Sequence, residues 1–174
     1  DWSSDGLFRS TREKGIFRTP SFSPDGKTIV FWKEGGNDHQ GYAFCVKPGI
    51  YRVSSGGGDA EFLFDNGGQR PTFSADGKNV FYYVDNGDAK ELDAFDLLKR
   101  TSMKIASSQY AWEITPSPDN KWIAFRELFK VYVCAFPSTG KTLELGKDMG
   151  QVPMQCITRD AGQSMCWSGD SKKI

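Results

Sequence analysis

The chain has 174 residues, with 22 basic side chains against 22 acidic ones, one histidine and four cysteines. Balanced charge, with no basic run interleaved with aromatics, argues against a nucleic-acid partner, and the longest apolar stretch, from Val131 to Phe136, is far too short to cross a bilayer as a helix. Aromatic residues at 14% and 19 glycines beside 25% charged residues describe short strands joined by tight turns.

In chain order, the first organised stretch is Pro20-Ser-Phe-Ser-Pro-Asp-Gly-Lys-Thr-Ile-Val-Phe31. Ser opens a type I turn, Pro pre-sets the next residue, and Gly supplies the positive φ that closes a hairpin. A strand rich in branched and aromatic residues follows at 29–32. After an insertion from Gly35 to Lys47, which holds Asn37, Asp38, His39, Tyr42 and Phe44, strands are expected at 49–54 and 61–64, bracketing a Ser-Gly-Gly-Gly-Asp turn. The insertion is expected to be a solvated loop, with contact to a partner as the alternative. A second corner, Pro71-Thr-Phe-Ser-Ala-Asp-Gly-Lys-Asn-Val-Phe-Tyr82, leads into strands at 80–84, 92–98 and 103–106. A third, Thr115-Pro-Ser-Pro-Asp-Asn-Lys-Trp-Ile-Ala-Phe125, leads into strands at 122–125 and 131–136, with the last strand of that unit at either 142–145 or 152–158. The fourth, Cys166-Trp-Ser-Gly-Asp-Ser-Lys-Lys-Ile174, stops after its turn.

The aligned serines Ser23, Ser74, Ser117 and Ser168 are 51, 43 and 51 residues apart, the length of one blade of a β-propeller. The expected fold is therefore all-β, a partial propeller of about three and a half tandem four-stranded antiparallel blades of the WD40 kind. The expected blades are 16–66, 67–108, 109–160 and a truncated 161–174, with 1–15 as a remnant of a preceding blade, so that the chain reads as a single segment of a larger protein.

Several residues invite a chemical reading, and each has a structural alternative. Asp25, Asp76, Asp119 and Asp170 recur at every corner, which argues for turn-forming carboxylates that accept local amides, with Asn120 replacing glycine because Asn tolerates the left-handed conformation. Ser138-Thr-Gly-Lys-Thr142 ends like a phosphate-binding loop, but Ala135 stands where that loop needs glycine, so a hairpin turn is expected. His39 is the single histidine and no G-x-S-x-G elbow exists, so neither a His-rich metal site nor a Ser-His-Asp triad is expected. Trp2, Trp32, Trp112, Trp122 and Trp167 could offer a stacking surface, yet Trp32, Trp122 and Trp167 fall on repeat strand positions and read as packing between blades. Cys45, Cys134, Cys156 and Cys166 show no CxxC pair and read as free, partly buried thiols; a Cys156–Cys166 bridge is the alternative. No catalytic, cofactor-binding or metal-binding residue is assigned.

The repeated Pro-x-Phe-Ser-Pro-Asp-Gly-Lys pattern resembles the WD40-like repeat of TolB-type propellers over nearly the whole chain. More narrowly, Pro48-Gly-Ile-Tyr-Arg-Val53, Pro116-Ser-Pro-Asp-Asn-Lys-Trp-Ile-Ala-Phe-Arg-Glu127, Phe136-Pro-Ser-Thr-Gly-Lys141, and Thr158-Arg-Asp-Ala-Gly162 followed by Trp167-Ser-Gly-Asp-Ser171 resemble the propeller region of large bacterial amidohydrolase-family proteins. The resemblance implies a non-catalytic segment that gates, shields or orients substrate for a metal-dependent hydrolase barrel elsewhere in the parent. None of that barrel's ligands maps onto this chain. The implied partners are the rest of the parent chain, a protein partner, or a second copy meeting exposed blade edges; the implied location is periplasmic or otherwise extracytoplasmic in a bacterium. Two other parents share the pattern: a periplasmic TolB-like protein-binding propeller, and a propeller capping a prolyl oligopeptidase-type serine peptidase. In the fourth corner Gly169 replaces proline and Ser171 replaces glycine, which implies a weaker turn.

Overall fold

The computed structural model describes residues 15–35, 47–138, 140–162 and 164–174. Its elements are all strands: β1 (Phe17–Phe22), β2 (Thr28–Lys33), β3 (Gly49–Ser54), β4 (Glu61–Phe64), β5 (Gln69–Phe73), β6 (Asn79–Asp85), β7 (Lys90–Asp96), β8 (Thr101–Ser108), β9 (Ala111–Pro116), β10 (Trp122–Glu127), β11 (Lys130–Ala135), β12 (Leu143–Glu144) and β13 (Met154–Cys156). They form three sheets, in the orders β1-β2-β3-β4, β12-β8-β7-β6-β5 and β13-β11-β10-β9. Consecutive strands pair antiparallel as meanders, and successive meanders pack face to face as blades of a partial β-propeller.

The packing explains the composition of the second strands. In β6, Phe81 and Tyr83 join the core shared with the third sheet, among Ile114, Ile123 and Phe125. Their neighbours Val80, Tyr82 and Val84 join the core shared with the first sheet, against Val30, Ile50 and Leu63. A strand buried on both faces needs an unbroken apolar run rather than alternation, which is what residues 80–84 supply. Tyr82 is fully buried, and a Cβ on Gly68 would come within 2.6 Å of its ring; only glycine lets the chain enter β5 at that distance. Arg100 ties the outer strands together, donating from Nη2 to the Leu63 carbonyl at 2.9 Å.

Two expectations about strands change, and the open choice for the last strand of the third unit falls within 152–158. The strand expected over 92–98 ends at Asp96, because the Asp96 carboxylate accepts the amides of Leu98 and Lys99 at 2.9 and 2.8 Å and turns the chain. The last strand of the third sheet is β13, paired with β11. Residues 143–144 instead cross to the second sheet, where β12 lies parallel to β8. The Ser138–Thr142 segment is accordingly no hairpin turn: it leads from β11 to a strand of another sheet. Burial drives the crossing, since Leu143 and Leu145 are both buried in the core between these sheets, and Leu145 N donates to Ser107 O at 2.7 Å.

Candidate functional site

The first strand of each sheet, β1, β5 and β9, together with residues 164–171, lines one concave wall around a cavity of about 920 Å³. Two local devices build this wall, one repeated at all four corners and one in the first strand of each of the three sheets.

The first is the corner. At each copy the serine hydroxyl donates to the aspartate two residues on: Ser23 to Asp25 at 2.6 Å, Ser74 to Asp76 at 2.7 Å, Ser117 to Asp119 at 2.6 Å and Ser168 to Asp170 at 2.7 Å. The same carboxylates accept the amides of Lys27, Lys78, Lys121 and Lys172, each at 3.1 Å. The serine oxygens in turn accept the amides of Thr28, Asn79, Trp122 and Lys173. Serine hydroxyls lower the pKa of all four carboxyls, more than any other cause does, and the following amides add to this. The left-handed fourth position is glycine in two corners, Gly26 and Gly77, each at φ 70°, and a side-chain-bearing residue in the others, Asn120 at 55° and Ser171 at 59°. Contrary to the weaker turn expected there, the fourth corner closes like the rest: Ser171 N donates to Ser168 O at 2.9 Å.

Where the fourth position carries a side chain, it reaches the preceding corner. Asn120 Oδ1 accepts Ala75 N at 2.5 Å, and Ser171 Oγ accepts Asp119 N at 3.0 Å. Trp167 Nε1 adds a longer bond, 3.4 Å, to Thr115 O.

The second device is a bulge in each first strand, where the pairing register shifts between Arg18 and Ser21, between Gln69 and Thr72, and opposite Arg126 and Glu127. Four residues before each corner serine stand Thr19, Arg70, Glu113 and Ser164, all on the cavity wall. Three of them are left-handed: Thr19 (φ 49°), Arg70 (φ 52°) and Ser164 (φ 59°). A bulge re-aims side chains; here Arg70 forms an ion pair with Glu113 across the second and third sheets. Sequence reading passed over this set. Its only visible signals were Thr19-Pro20 and Arg70-Pro71, each a residue ahead of proline on a first strand.

The other singled-out residues separate. Trp32 is partly buried against the core between the first two sheets, and Trp167 is partly buried on the cavity wall. Trp122 does not pack between sheets: it is 43% exposed, because Ile123 and Phe125 take the core face of β10 and alternation turns Trp122 to the other. Trp112 is exposed as well. Cys134 is buried, with its thiol pushed up to about 12 by burial. Cys156 and Cys166 are both free, so no bridge joins them, and both are exposed rather than partly buried. Trp2, His39, Tyr42, Phe44, Cys45 and most of the insertion lie outside the described residues. Among the described residues no group of three or more His, Cys, Asp or Glu gathers to hold a metal ion, and no helix is long and apolar enough to cross a membrane.

No protein-family model matches the chain, and no curated protein matches it. Solved structures do. TolB from Acinetobacter baumannii is similar with a TM-score of 0.62 at 21% identity, covering 91% of this chain and 36% of that one. A protein assigned as TolB from Agrobacterium tumefaciens gives 0.62 at 18% identity over 93% of this chain and 57% of that one. The β-propeller domain of the Trilobed protease from Pyrococcus furiosus, described as having an open velcro topology, gives 0.55 at 14% identity over 81% and 43%. The chain therefore spans well under two thirds of each of these structures. Strand order, corner geometry and these likenesses together show the fold: a segment of a TolB-like β-propeller.

Proposed function

We propose that the chain is the non-catalytic propeller part of a larger bacterial protein of the amidohydrolase kind, acting as scaffold and as a substrate-access or contact surface. The observation that carries this reading is the concave wall itself, a cavity of about 920 Å³ bounded by the first strands of the three sheets and by the fourth corner. A wall made of repeated strand edges holds a fixed frame while the projecting side chains vary, which suits selection and contact. The amidohydrolase parent rests on the sequence resemblance of residues 48–53, 116–127, 136–141, 158–162 and 167–171, and extracytoplasmic placement on the TolB-like repeat.

The parent gene tests the reading. A downstream barrel with clustered histidines supports it, and a G-x-S-x-G elbow moves the segment to a peptidase cap, the alternative favoured by the likeness to the Trilobed protease propeller. A reading frame holding only further blades moves it to a free-standing TolB-like binder. The purified chain is expected to show no metal-dependent amide hydrolysis, and such activity, abolished by a chelator, would overturn the non-catalytic reading.

Partners follow from the same proposal: the remaining blades and hydrolase part of the parent, a protein partner, or a second copy. Trp112, Trp122, Leu128 and Phe129 are exposed around the third sheet, and apolar surface of this kind promotes association. Sedimentation at rising concentration is expected to show self-association of the chain; a monomer throughout would contradict it.

A further inference from the structure

We infer that Arg70, projecting from the bulge of β5 into the concave cavity, anchors a subsite for the carboxylate of an organic acid, an inference that rests on the reading of the concave wall as a contact surface.

Thr19, Arg70, Glu113 and Ser164 stand at one position of the repeat, four residues before the corner serine, and line one cavity, so the repeat sets the position while its occupant differs. At Arg70 the frame is costly: φ is 52°, and the next residue is Pro71, which disfavours anything but extended backbone before it. Strain of this kind persists only where the surrounding structure imposes it. Glycine would relieve it, yet a long charged side chain stands there.

Arg70 is the one basic residue among the described residues that line the cavity. Its side chain is 49% exposed, whereas that of its partner Glu113 is 9% exposed. Glu113 Oε1 holds Nη1, and among the described residues it is the only hydrogen-bond partner of the Arg70 side chain. A guanidinium carries five donors in a planar fork. A buried carboxylate on one edge fixes the plane and leaves donors on the other for a second carboxylate, in the paired geometry that arginine favours. Glu113 is thus a positioning residue.

Charge selects the ligand class. The cavity also holds Asp119 and Asp170 at its corner end, so a dianion such as phosphate meets three carboxylates for one guanidinium. A monoanion fits this balance better. Phe22 lies on the same wall, 62% exposed. The favoured ligand therefore joins a carboxylate to an apolar group, as a peptide C-terminus or a small arylalkanoic acid does.

The test uses the full chain, 15N-labelled, titrated with N-acetyl-Gly-Gly-Phe as the free acid, the same peptide as its C-terminal amide, 3-phenylpropionate, and inorganic phosphate. Resonances of the Arg70 Nε–H and the Trp167 indole report binding on the wall. The free acid is expected to shift both and to bind at least tenfold more tightly than the amide or phosphate. Arg70→Gln is expected to lose that preference, and Arg70→Lys to keep part of it. Tripeptide binding at least tenfold tighter than 3-phenylpropionate identifies a peptide terminus; comparable binding identifies a free organic acid. Equal binding of acid and amide, or an Arg70→Gln variant that keeps the preference, overturns the Arg70 subsite while leaving the contact surface standing. If no probe moves any wall resonance, both fall. Should Arg70→Gln fail to fold, the acid-to-amide ratio on the unchanged chain and on Arg70→Lys decides the matter.

Discussion

Asn120 Oδ1 accepts the main-chain amide of Ala75 at 2.5 Å, so the corner of the third sheet is clasped to the corner of the second by a side chain standing where the turn would ordinarily use glycine. The residue does two jobs, tolerating φ 55° and bridging two sheets. Asn120→Ala removes the bond, about 1 kcal/mol, and places an ordinary side chain in the left-handed region, about 1 kcal/mol more. Both variants also lose the bond from Asn120 Nδ2 to Ser117 O at 3.2 Å, and Asn120→Gly adds no left-handed strain. Urea midpoints should therefore fall for both variants, further for Ala, with unchanged m-values. Equal loss in the two would show that the side-chain bonds contribute alone.

The corner carboxylates make stability sensitive to acid. Asp25, Asp76, Asp119 and Asp170 have folded pKa values below the ordinary 3.8. Their contribution is present above the unfolded value and disappears as pH falls through the folded one. Unfolding midpoints are expected to drop below about pH 4, and Asp→Asn at any corner should make that drop shallower. Asp25, Asp76 and Asp170 are exposed and Asp119 is half-buried, so the effect of each is small and screened by salt.

Asp93 acts with the opposite sign. Burial, followed by the nearby Glu91, raises its pKa against the partial relief given by Lys104 and Tyr82, and its Oδ1 has no hydrogen-bond partner among the described residues. A raised carboxyl favours the folded state when protonated and loses that contribution as pH rises through the folded value. Asp93→Asn is expected to raise the unfolding free energy at pH 7 by roughly 0.5 kcal/mol, read as a higher urea midpoint, and to leave the midpoint nearly unchanged at pH 3. A lowered midpoint at neutral pH would contradict this.

The crossing strand β12 is held by burial of Leu143 and Leu145. Leu143→Ala should cost about 2–4 kcal/mol, the usual range for a buried leucine. Hydrogen exchange should show lost protection at the Leu145 amide, which bonds Ser107 O, while β13 keeps its pairing with β11. Loss of protection in both strands together would mean that the 137–153 segment folds as one unit with the third sheet.

Thiol chemistry should separate the cysteines. Cys156 and Cys166 are exposed, and Cys134 is buried with a thiol pushed up to about 12. A thiol reagent at pH 8, followed by peptide mapping, should modify Cys156 and Cys166 within minutes and Cys134 only in denaturant. Rapid modification of Cys134 in the native chain would count against the core described between the second and third sheets.

The corners and the strands after them were legible because their causes are local. Every hydrogen bond that forms the Ser-x-Asp turn closes within six residues, and an apolar run such as 80–84 announces burial by itself. The spacing of those corners was enough to give the repeat and the fold class. What sequence could not supply depends on partners far along the chain. Leu143 joins a neighbouring sheet because a core formed by two other segments has room for it. Trp122 is exposed because Ile123 and Phe125 claim the packed face of their strand. The wall set of Thr19, Arg70, Glu113 and Ser164 has no shared residue type, so only the stacking of three bulged first strands, with the fourth corner docked beside them, brings those side chains to one cavity. Turn geometry is written in short-range hydrogen bonds; which side chains meet across the sheets is decided by packing.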